Sequence, residues 1–152
     1  MSSMPAGGLE IVFAPIAFGS EDYGRERRLR DEVLRRPLGL SLDDEESATE
    51  KDQLHFGLFL GGELVACVIA APVSGSEARI RQMAVSPAHQ GRGLGRRLLD
   101  AVERELRRRG FRKLHLGART SAAGFYEKLG YAAVGAAYVS VTVPHLRMEK
   151  TL

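Results

Sequence analysis

The chain has 152 residues, a formal net charge of +3, 44% hydrophobic residues and 27% charged residues. This composition is that of an ordinary globular protein, so we expect a single domain over residues 1–152, with residues 1–8 as a flexible leader. No apolar run is long enough to cross a membrane and the amino terminus lacks a signal-peptide pattern, which predicts a cytoplasmic protein without a membrane partner. The single cysteine, Cys67, excludes an intrachain disulfide and is predicted to be a core side chain.

The amino-terminal third of the chain predicts a strand, a helix and an acidic loop. Leu9–Phe13 has the apolar pattern of a strand that ends before Pro15. Ser20 can cap a helix that runs to about Arg36. The acidic run Asp43–Glu46 predicts a solvated loop, with attraction of a cationic amine as the alternative.

A hairpin is the clearest local prediction in the next part of the chain. Two strand-like runs, Leu54–Leu60 and Glu63–Ala70, flank a Gly-Gly pair at residues 61 and 62. Ala78–Val85 then predicts a third antiparallel strand of the same meander.

The stretch from Ile80 to Leu99 carries the strongest functional signal. Ser86-Pro87 ends its strand, three glycines follow at positions 91, 93 and 95, and a long helical pattern begins. A strand, a glycine loop and a helix in this order present unpaired backbone N–H groups and the positive end of a helix dipole to an anion. The stretch therefore predicts a phosphate-binding turn. It is not a P-loop, because the chain has no Gly-Lys-Ser/Thr ending, and it lacks the Gly-x-Gly-x-x-Gly spacing of a dinucleotide site.

The helix predicted from Gly95 to Arg109 has an apolar face of leucines and one valine and a second face rich in arginine. Glutamates interrupt the arginines and no aromatic residues accompany them, so we predict a solvated surface and no nucleic-acid partner. Gly110 is the expected end of this helix. Lys113–Gly117 then predicts a strand parallel to the one before the helix.

Two motifs resemble the GNAT superfamily of N-acetyltransferases. Gln90 to Gly95 is similar to the Arg/Gln-x-x-Gly-x-Gly/Ala signature that holds the pyrophosphate of acetyl-CoA in that family. Phe125-Tyr126 with Gly130-Tyr131, on a short helix that Thr120 or Ser121 can cap, resembles its second hallmark. The ending Pro144 to Met148 is similar to that of the ElaA-like group, and the resemblance covers Leu54–Leu152.

The resemblance implies an α/β (α+β) fold: a mixed, mostly antiparallel sheet of six to seven strands, with about four flanking helices. The central parallel strands, Ala78–Val85 and Lys113–Gly117, are expected to splay apart around the pantetheine arm of the cosubstrate acetyl-CoA. The sequence has no His/Cys cluster with metal-ligand spacing, so no metal is predicted. The cofactor-binding residues that it implies are Met83, Ala84, Val85, Gln90, Gly91, Arg92, Gly93, Leu94, Gly95, Arg96, Ser121, Ala122, Phe125 and Lys128.

The implied reaction is direct transfer of an acetyl group from acetyl-CoA to a primary amine of a small molecule or protein, through a ternary complex. In the family a tyrosine at the position of Tyr126 points at the thioester sulfur, so Tyr126 is the predicted acid, with an aromatic packed under the cofactor as the alternative. His145 is favoured as the base over His55, His115 and Glu32. Cys67 has no predicted partner and is not expected to be a nucleophile.

Several points stay open at this level. Arg119 stands where the family pattern has an asparagine, so one expected cofactor contact is in doubt. A non-catalytic domain that binds or senses acetyl-CoA is the alternative function. The acceptor and the oligomeric state are not specified, and a homodimer is one option.

Overall fold

The computed structural model describes residues 10–42 and 48–152 of the chain. The predicted leader at residues 1–8 and the acidic run at residues 43–46 lie outside the described residues. The described part groups into two compact units. The first unit draws on residues up to Ile69 and on Gln82–Val102, and the second consists of Ala70–Arg81 and Glu103–Leu152.

Seven strands form one mixed sheet in the order β1-β2-β3-β4-β5-β7-β6. β4 and β5 pair in parallel, whereas β1–β2, β5–β7 and β6–β7 pair antiparallel, which confirms the predicted α/β class and mixed sheet. β3 and β4 each contribute residues to both units. The strands are β1 (Ile11–Ile16), β2 (Leu54–Leu60), β3 (Glu63–Pro72), β4 (Glu77–Val85), β5 (Lys113–Arg119), β6 (Ala132–Ser140) and β7 (Val143–Thr151).

Three α-helices lie within the described residues: α1 (Glu21–Arg30), α2 (Leu94–Arg108) and α3 (Ala123–Lys128). Asp31–Arg35 is a π turn and Arg36–Leu38 a 3₁₀ turn, so the α-helix ends earlier than predicted. Ser20 caps α1 as predicted, because its Oγ accepts a hydrogen bond from the Tyr23 N–H at 3.1 Å.

The first strand begins later than predicted, at Ile11, and continues through Pro15 to Ile16. β1 stands at the edge of the sheet and pairs only with β2, with Pro15 opposite Phe56. Proline lacks the N–H that a central strand needs, but an edge strand has one side without a partner. The prediction that Pro15 ends the strand is therefore wrong.

The predicted hairpin is confirmed, since β2 and β3 are joined by two glycines with positive φ, 58° at Gly61 and 83° at Gly62. The carboxyl-terminal hairpin turns at Val141 and Thr142, which have φ values of 50° and 65°. The alternating pattern of residues 134–152 predicts two strands with a turn around Val143-Pro144, but both of those residues belong to β7. Turn residues with positive φ are usually glycine or asparagine, so this sequence gave no signal for the turn.

The predicted apolar face of α2 is buried, and its residues Leu98, Leu99, Val102 and Leu106 have no exposed surface. Gly110 follows the helix with a φ of 99°, and the Phe111 N–H donates to the Leu106 carbonyl at 3.0 Å. These are the features of a glycine-terminated helix, as predicted. Within the part of the chain that the structure describes, no helix combines the length and apolar character that crossing a membrane requires.

Candidate functional site

The glycine loop between β4 and α2 has the geometry that the sequence predicts. Gly91 and Gly93 have φ values of 77° and 76°, which side chains other than glycine rarely adopt. No atom lies within 4 Å of a Cβ built at either position, so glycine is needed here for backbone conformation and not for close packing. The Gln90 side chain donates from Nε2 to the Val85 carbonyl at 3.0 Å and ties the loop to the end of β4.

The first turn of α2 offers donors and positive charge to an anion. The Arg97 N–H donates to the Gly93 carbonyl at 3.0 Å, so the three preceding N–H groups have no acceptor within the helix. Arg92 and Arg96 are exposed, and neither pairs with any described residue. Unpaired cations at the positive end of a helix are unfavourable unless an anion is bound, so this turn suits a phosphate group.

β4 is distorted just before the predicted cofactor-binding residues Met83, Ala84 and Val85, and no sequence pattern indicated this distortion. Gln82 has a φ of 57°, in the left-handed region that is unusual for a residue inside a strand. The parallel pairing with β5 covers Glu77–Ile80, so this residue follows the last paired position. Beyond it, Met83 and Val85 are half-buried and Ala84 is buried.

The short helix α3 in the second unit carries Tyr126. A 3₁₀ turn at Thr120–Ala122 precedes the helix, and no side chain caps it, so the prediction of a cap by Thr120 or Ser121 is wrong. The helix ends as predicted at Gly130, which has a φ of 96°. Tyr131 then turns back into the protein, and its hydroxyl donates to Glu103 Oε2 at 2.7 Å.

Tyr126 lies among aromatic rings and keeps its proton. Its ring makes edge-on contacts with Phe125 at 5.0 Å and with Tyr131 at 5.8 Å between centroids. Burial raises the pKa of the Tyr126 phenol to about 12, because the phenolate is poorly solvated there. The hydroxyl is therefore a hydrogen-bond donor at neutral pH. Among the other predicted cofactor residues of this region, Phe125, Lys128 and Ser121 are exposed and Ala122 is half-buried.

Each candidate histidine has a different environment, which the sequence does not reveal. His145 lies at the start of β7, and its Nδ1 is 2.9 Å from the Val143 carbonyl. Its ring stacks on Tyr138, with centroids 5.7 Å apart. His115 lies in β5, and its Nδ1 is 2.7 Å from Glu77 Oε2. The exposed Glu32 lies in the π turn after α1.

His55 belongs to a buried charged cluster in the first unit. Its Nδ1 is 2.9 Å from Glu26 Oε2, and its Nε2 is 2.9 Å from the Glu50 carbonyl. Both neighbours only accept hydrogen bonds, so both ring nitrogens carry protons. Burial alone lowers the pKa of His55, but the hydrogen bond and charge of Glu26 outweigh that effect and raise it. A doubly protonated imidazole cannot take a proton from an amine.

The same cluster has the residue types of a metal site, because oxygen and nitrogen atoms of Glu26, Glu50 and His55 lie within 4.8 Å of one another. Arg30 occupies the space between the carboxylates, however. Its guanidinium donates to Glu26 Oε2 at 2.9 Å and to both oxygens of Glu50, at 2.9 and 2.6 Å. The carboxylate charge is thus balanced by a buried arginine and an imidazolium, and the donor set does not fit a cation.

Cys67 is confirmed as a core residue. It has no exposed surface and lies in β3, packed in a cluster with residues such as Ile16 and Leu29. Burial raises the pKa of its thiol, so the thiolate that nucleophilic catalysis needs is disfavoured.

The chain belongs to the Acetyltransferase (GNAT) family, whose model matches residues 21–131. Among solved structures, a candidate N-acetyltransferase from Lactobacillus plantarum superposes with a TM-score of 0.83 at 25% identity, over 95% of this chain and 98% of that one. Escherichia coli ElaA shares the fold, with a TM-score of 0.78 at 19% identity over 92% and 99% of the two chains.

A GNAT family acetyltransferase from Elizabethkingia anophelis, solved with acetyl-CoA bound, also shares the fold. Its TM-score is 0.71 at 17% identity, over 93% of this chain and 98% of that one. The [ribosomal protein bS18]-alanine N-acetyltransferase of Escherichia coli (strain K12) is 40% identical over 81 residues, which are 51% of this chain and 54% of that protein. The chain spans about half the length of the curated relatives that it matches.

Proposed function

We propose that this protein is an acetyl-CoA-dependent N-acetyltransferase that transfers the acetyl group directly to a primary amine through a ternary complex. The observation that carries this proposal is the first turn of α2, where free helix N–H groups and the unpaired Arg92 and Arg96 follow the two left-handed glycines. Membership of the GNAT family supports acetyl-CoA as the ligand that supplies the matching pyrophosphate.

The proposed cofactor contacts follow from this placement. The backbone from Gln90 to Arg96 binds the pyrophosphate, and Met83, Ala84 and Val85 pair with the pantetheine arm as an added strand would. Ser121, Ala122, Phe125 and Lys128 line the remaining length of the cofactor. Splaying of β4 and β5 to admit the arm remains part of this proposal.

Tyr126 is the proposed acid. When the amine attacks the acetyl carbon, the carbon–sulfur bond breaks and a thiolate leaves. A phenol whose pKa is raised to about 12 is fully protonated at neutral pH and can donate to that thiolate.

The attacking amine must first lose a proton, because alkylammonium groups are charged near neutral pH. His145 is the candidate that the sequence favours, since its Nδ1 faces a backbone carbonyl and Nε2 is left for an incoming group. His115 likewise has Nε2 available for an incoming group, and its Nδ1 lies 2.7 Å from Glu77 Oε2. A cytoplasmic location and a small-molecule or protein acceptor belong to the same proposal, and a homodimer is one option for the assembly.

The decisive test is CoA release from acetyl-CoA, followed with a thiol reagent across a broad panel of amines and peptides. We expect amine-dependent release by the wild type. In Tyr126→Phe we expect kcat to fall by about 100-fold, with little change in the KM for acetyl-CoA, because general acid catalysis contributes roughly 10²–10⁴-fold. Binding of acetyl-CoA without release by any amine would favour a sensing domain, and absence of acetyl-CoA binding would refute the proposal at the glycine loop.

A further inference from the structure

The second unit contains a pocket with a volume of about 380 Å³. Ligand pockets for small molecules start at about this size. Side chains from β4, β5, β6 and β7 line it. They are Arg79, His115, Leu116, Gly117, Val134, Ala136, Tyr138 and Arg147.

The pocket is lined by cations and by no carboxylate. Arg79 is exposed and pairs with no described residue. Arg147 retains 43% of its side-chain exposure, with Nε 3.0 Å from Glu149 Oε2 and a terminal nitrogen 3.7 Å from Glu77 Oε2. Two guanidinium groups beside one small cavity favour an anionic group, which arginine binds through charge-assisted hydrogen bonds.

Gly117 allows Tyr138 to lie against β5 within this pocket. A Cβ at this position would collide with the Tyr138 hydroxyl, so the tyrosine occupies the space that any other residue would fill. The phenol therefore forms one wall of the pocket, and its ring stacks on His145.

His115 presents an open ring nitrogen to this pocket. Glu77 Oε2, 2.7 Å from Nδ1, can only accept, so Nδ1 carries the proton in either charge state. Nε2 has no hydrogen-bond partner among the described residues. Burial and then the charge of Arg147 lower the pKa of His115, despite the opposing effect of Glu77. The ring is therefore neutral at neutral pH, with a lone pair on Nε2.

The charged and titratable neighbours of His115 come from every adjoining strand. β4 contributes Glu77 and Arg79, which is the register partner of His115. β7 contributes Arg147 and Glu149, and Glu149 also pairs with Lys113 of β5 at 3.1 Å. β6 contributes Tyr138.

We propose that this pocket receives the acceptor and that the acceptor is a small primary amine bearing a carboxylate or phosphate, with Arg79 and Arg147 binding the anionic group and His115 Nε2 taking a proton from the ammonium. This rests on the proposed function. Glu77 orients His115 and stabilises the imidazolium that forms, as a carboxylate does for a catalytic histidine. His145 has only a neutral carbonyl behind its ring and lacks that stabilisation.

The step balances in atoms and charge. The ammonium gives one proton to His115, and the neutral nitrogen attacks the acetyl carbon of acetyl-CoA. The carbon–nitrogen bond forms as the carbon–sulfur bond breaks and its electron pair leaves on sulfur. Tyr126 protonates the thiolate and regains a proton from the acylated nitrogen, while His115 passes its proton to water. The products are the N-acetyl amine, CoA and one proton.

The anionic group is tested with pairs of amines that differ only in that group, namely alanine with alaninamide and O-phosphoethanolamine with ethanolamine. We expect the wild type to favour the anionic member of at least one pair by about tenfold or more in kcat/KM, and the favoured pair identifies carboxylate or phosphate. Arg79→Gln should abolish that preference. Arg104→Gln, which removes another exposed charge, from α2, should retain that preference.

The outcomes separate the two proposals. Equal kcat/KM for both members of both pairs in the wild type would overturn the anionic acceptor while leaving acetyl transfer intact. Failure of every amine in the broad panel to release CoA would overturn the proposed function itself, and this inference with it.

The role of His115 is tested by the acid limb of the pH profile of kcat/KM. We expect activity to fall below pH 6.5 in the wild type, since the lowered pKa of His115 places its protonation there. Glu77→Gln keeps an acceptor for Nδ1 but removes the charge, so the limb should move to lower pH. In His115→Gln, kcat should fall by about 100-fold and the acid limb should disappear. In His145→Gln the acid limb should remain.

A limb that persists in His115→Gln would overturn this part, and a limb that disappears in His145→Gln would assign the base to His145 instead. Thermal unfolding checks that each variant folds. If His115→Gln does not fold, the pH of the acid limb in Glu77→Gln is the test. An acid limb at the same pH in Glu77→Gln and in the wild type would refute the proposed pairing of His115 with Glu77.

Discussion

Replacing Arg30 with methionine should destabilise the protein strongly, because this arginine neutralises two buried carboxylates. Arg30 is 1% exposed and Glu26 and Glu50 are both fully buried. Its guanidinium makes three hydrogen bonds to them, between 2.6 and 2.9 Å long. Methionine has a similar length but offers no charge and no donor, so the carboxylates would lose their main cation.

The magnitude follows from burial. Removing one partner of a buried ion pair costs roughly 3–5 kcal/mol, because the remaining charge is left desolvated and unpaired. Tyr23 still donates to Glu50 at 2.8 Å, and His55 still balances Glu26, so we expect a value near the lower end. Domains of this size are typically stable by about 5–15 kcal/mol, so the variant should still fold.

Arg25→Met on the same helix is the matched control. Arg25 pairs with Asp22 at 2.6 Å, as short as the shortest contact of Arg30, but the two side chains are 44% and 42% exposed. An exposed pair of this kind contributes about 1 kcal/mol or less.

Urea unfolding followed by circular dichroism measures both variants. With an m value of about 2 kcal/mol per molar urea, Arg30→Met should lower the midpoint by about 1.5 M or more, and Arg25→Met by about 0.5 M at most. Equal shifts in the two variants would show that burial does not set the strength of this interaction, and the reasoning would be refuted.

Three further measurements concern Arg96 in the first turn of α2, the His55 imidazolium and the Cys67 thiol. Arg96→Gln should raise the KM for acetyl-CoA by about three- to tenfold and weaken its salt dependence, whereas Arg104→Gln should leave both unchanged; equal effects would count against a phosphate at the first turn of α2. The raised pKa of His55 contributes stability that is complete below pH 6.5 and is lost as pH rises through the raised value, so the free energy of unfolding of the wild type should fall with pH there more than that of His55→Gln. Cys67 should react with a thiol reagent only at the rate of unfolding, which gives the CoA-release assay a flat background; rapid labelling of the folded protein would contradict its burial.

Local patterns in the sequence were sufficient for the elements that depend on neighbouring residues. The Gly61-Gly62 turn, the apolar face of α2, its glycine termination and the Ser20 cap all rest on contacts within a few residues along the chain. The glycine loop is of the same kind, since a strand, left-handed glycines and a helix start are adjacent in sequence. Its backbone geometry could therefore be predicted without any tertiary information.

Local patterns failed where the outcome depended on the place of a residue in the sheet. Pro15 continues a strand only because β1 is an edge strand, and the last turn lies at Val141-Thr142 although neither residue favours positive φ. The left-handed Gln82 inside β4 is another case. In each one the conformation differs from the preference of the residue itself, which depends on context in a sheet.

The sequence by itself determined the loop, which depends on adjacent residues, and two motifs indicated the family, whose resemblance implied the mixed sheet. Only the tertiary structure decided what the histidines can do. His55, His115 and His145 all lie in strand-like runs, but their partners differ. His55 faces two acceptors, His115 faces a carboxylate and His145 faces a backbone carbonyl. Those partners lie up to 38 residues away along the chain, and parallel register alone brings Arg79 opposite His115. The protonation state of an imidazole is set by the groups that fold around it, and no local pattern contains them.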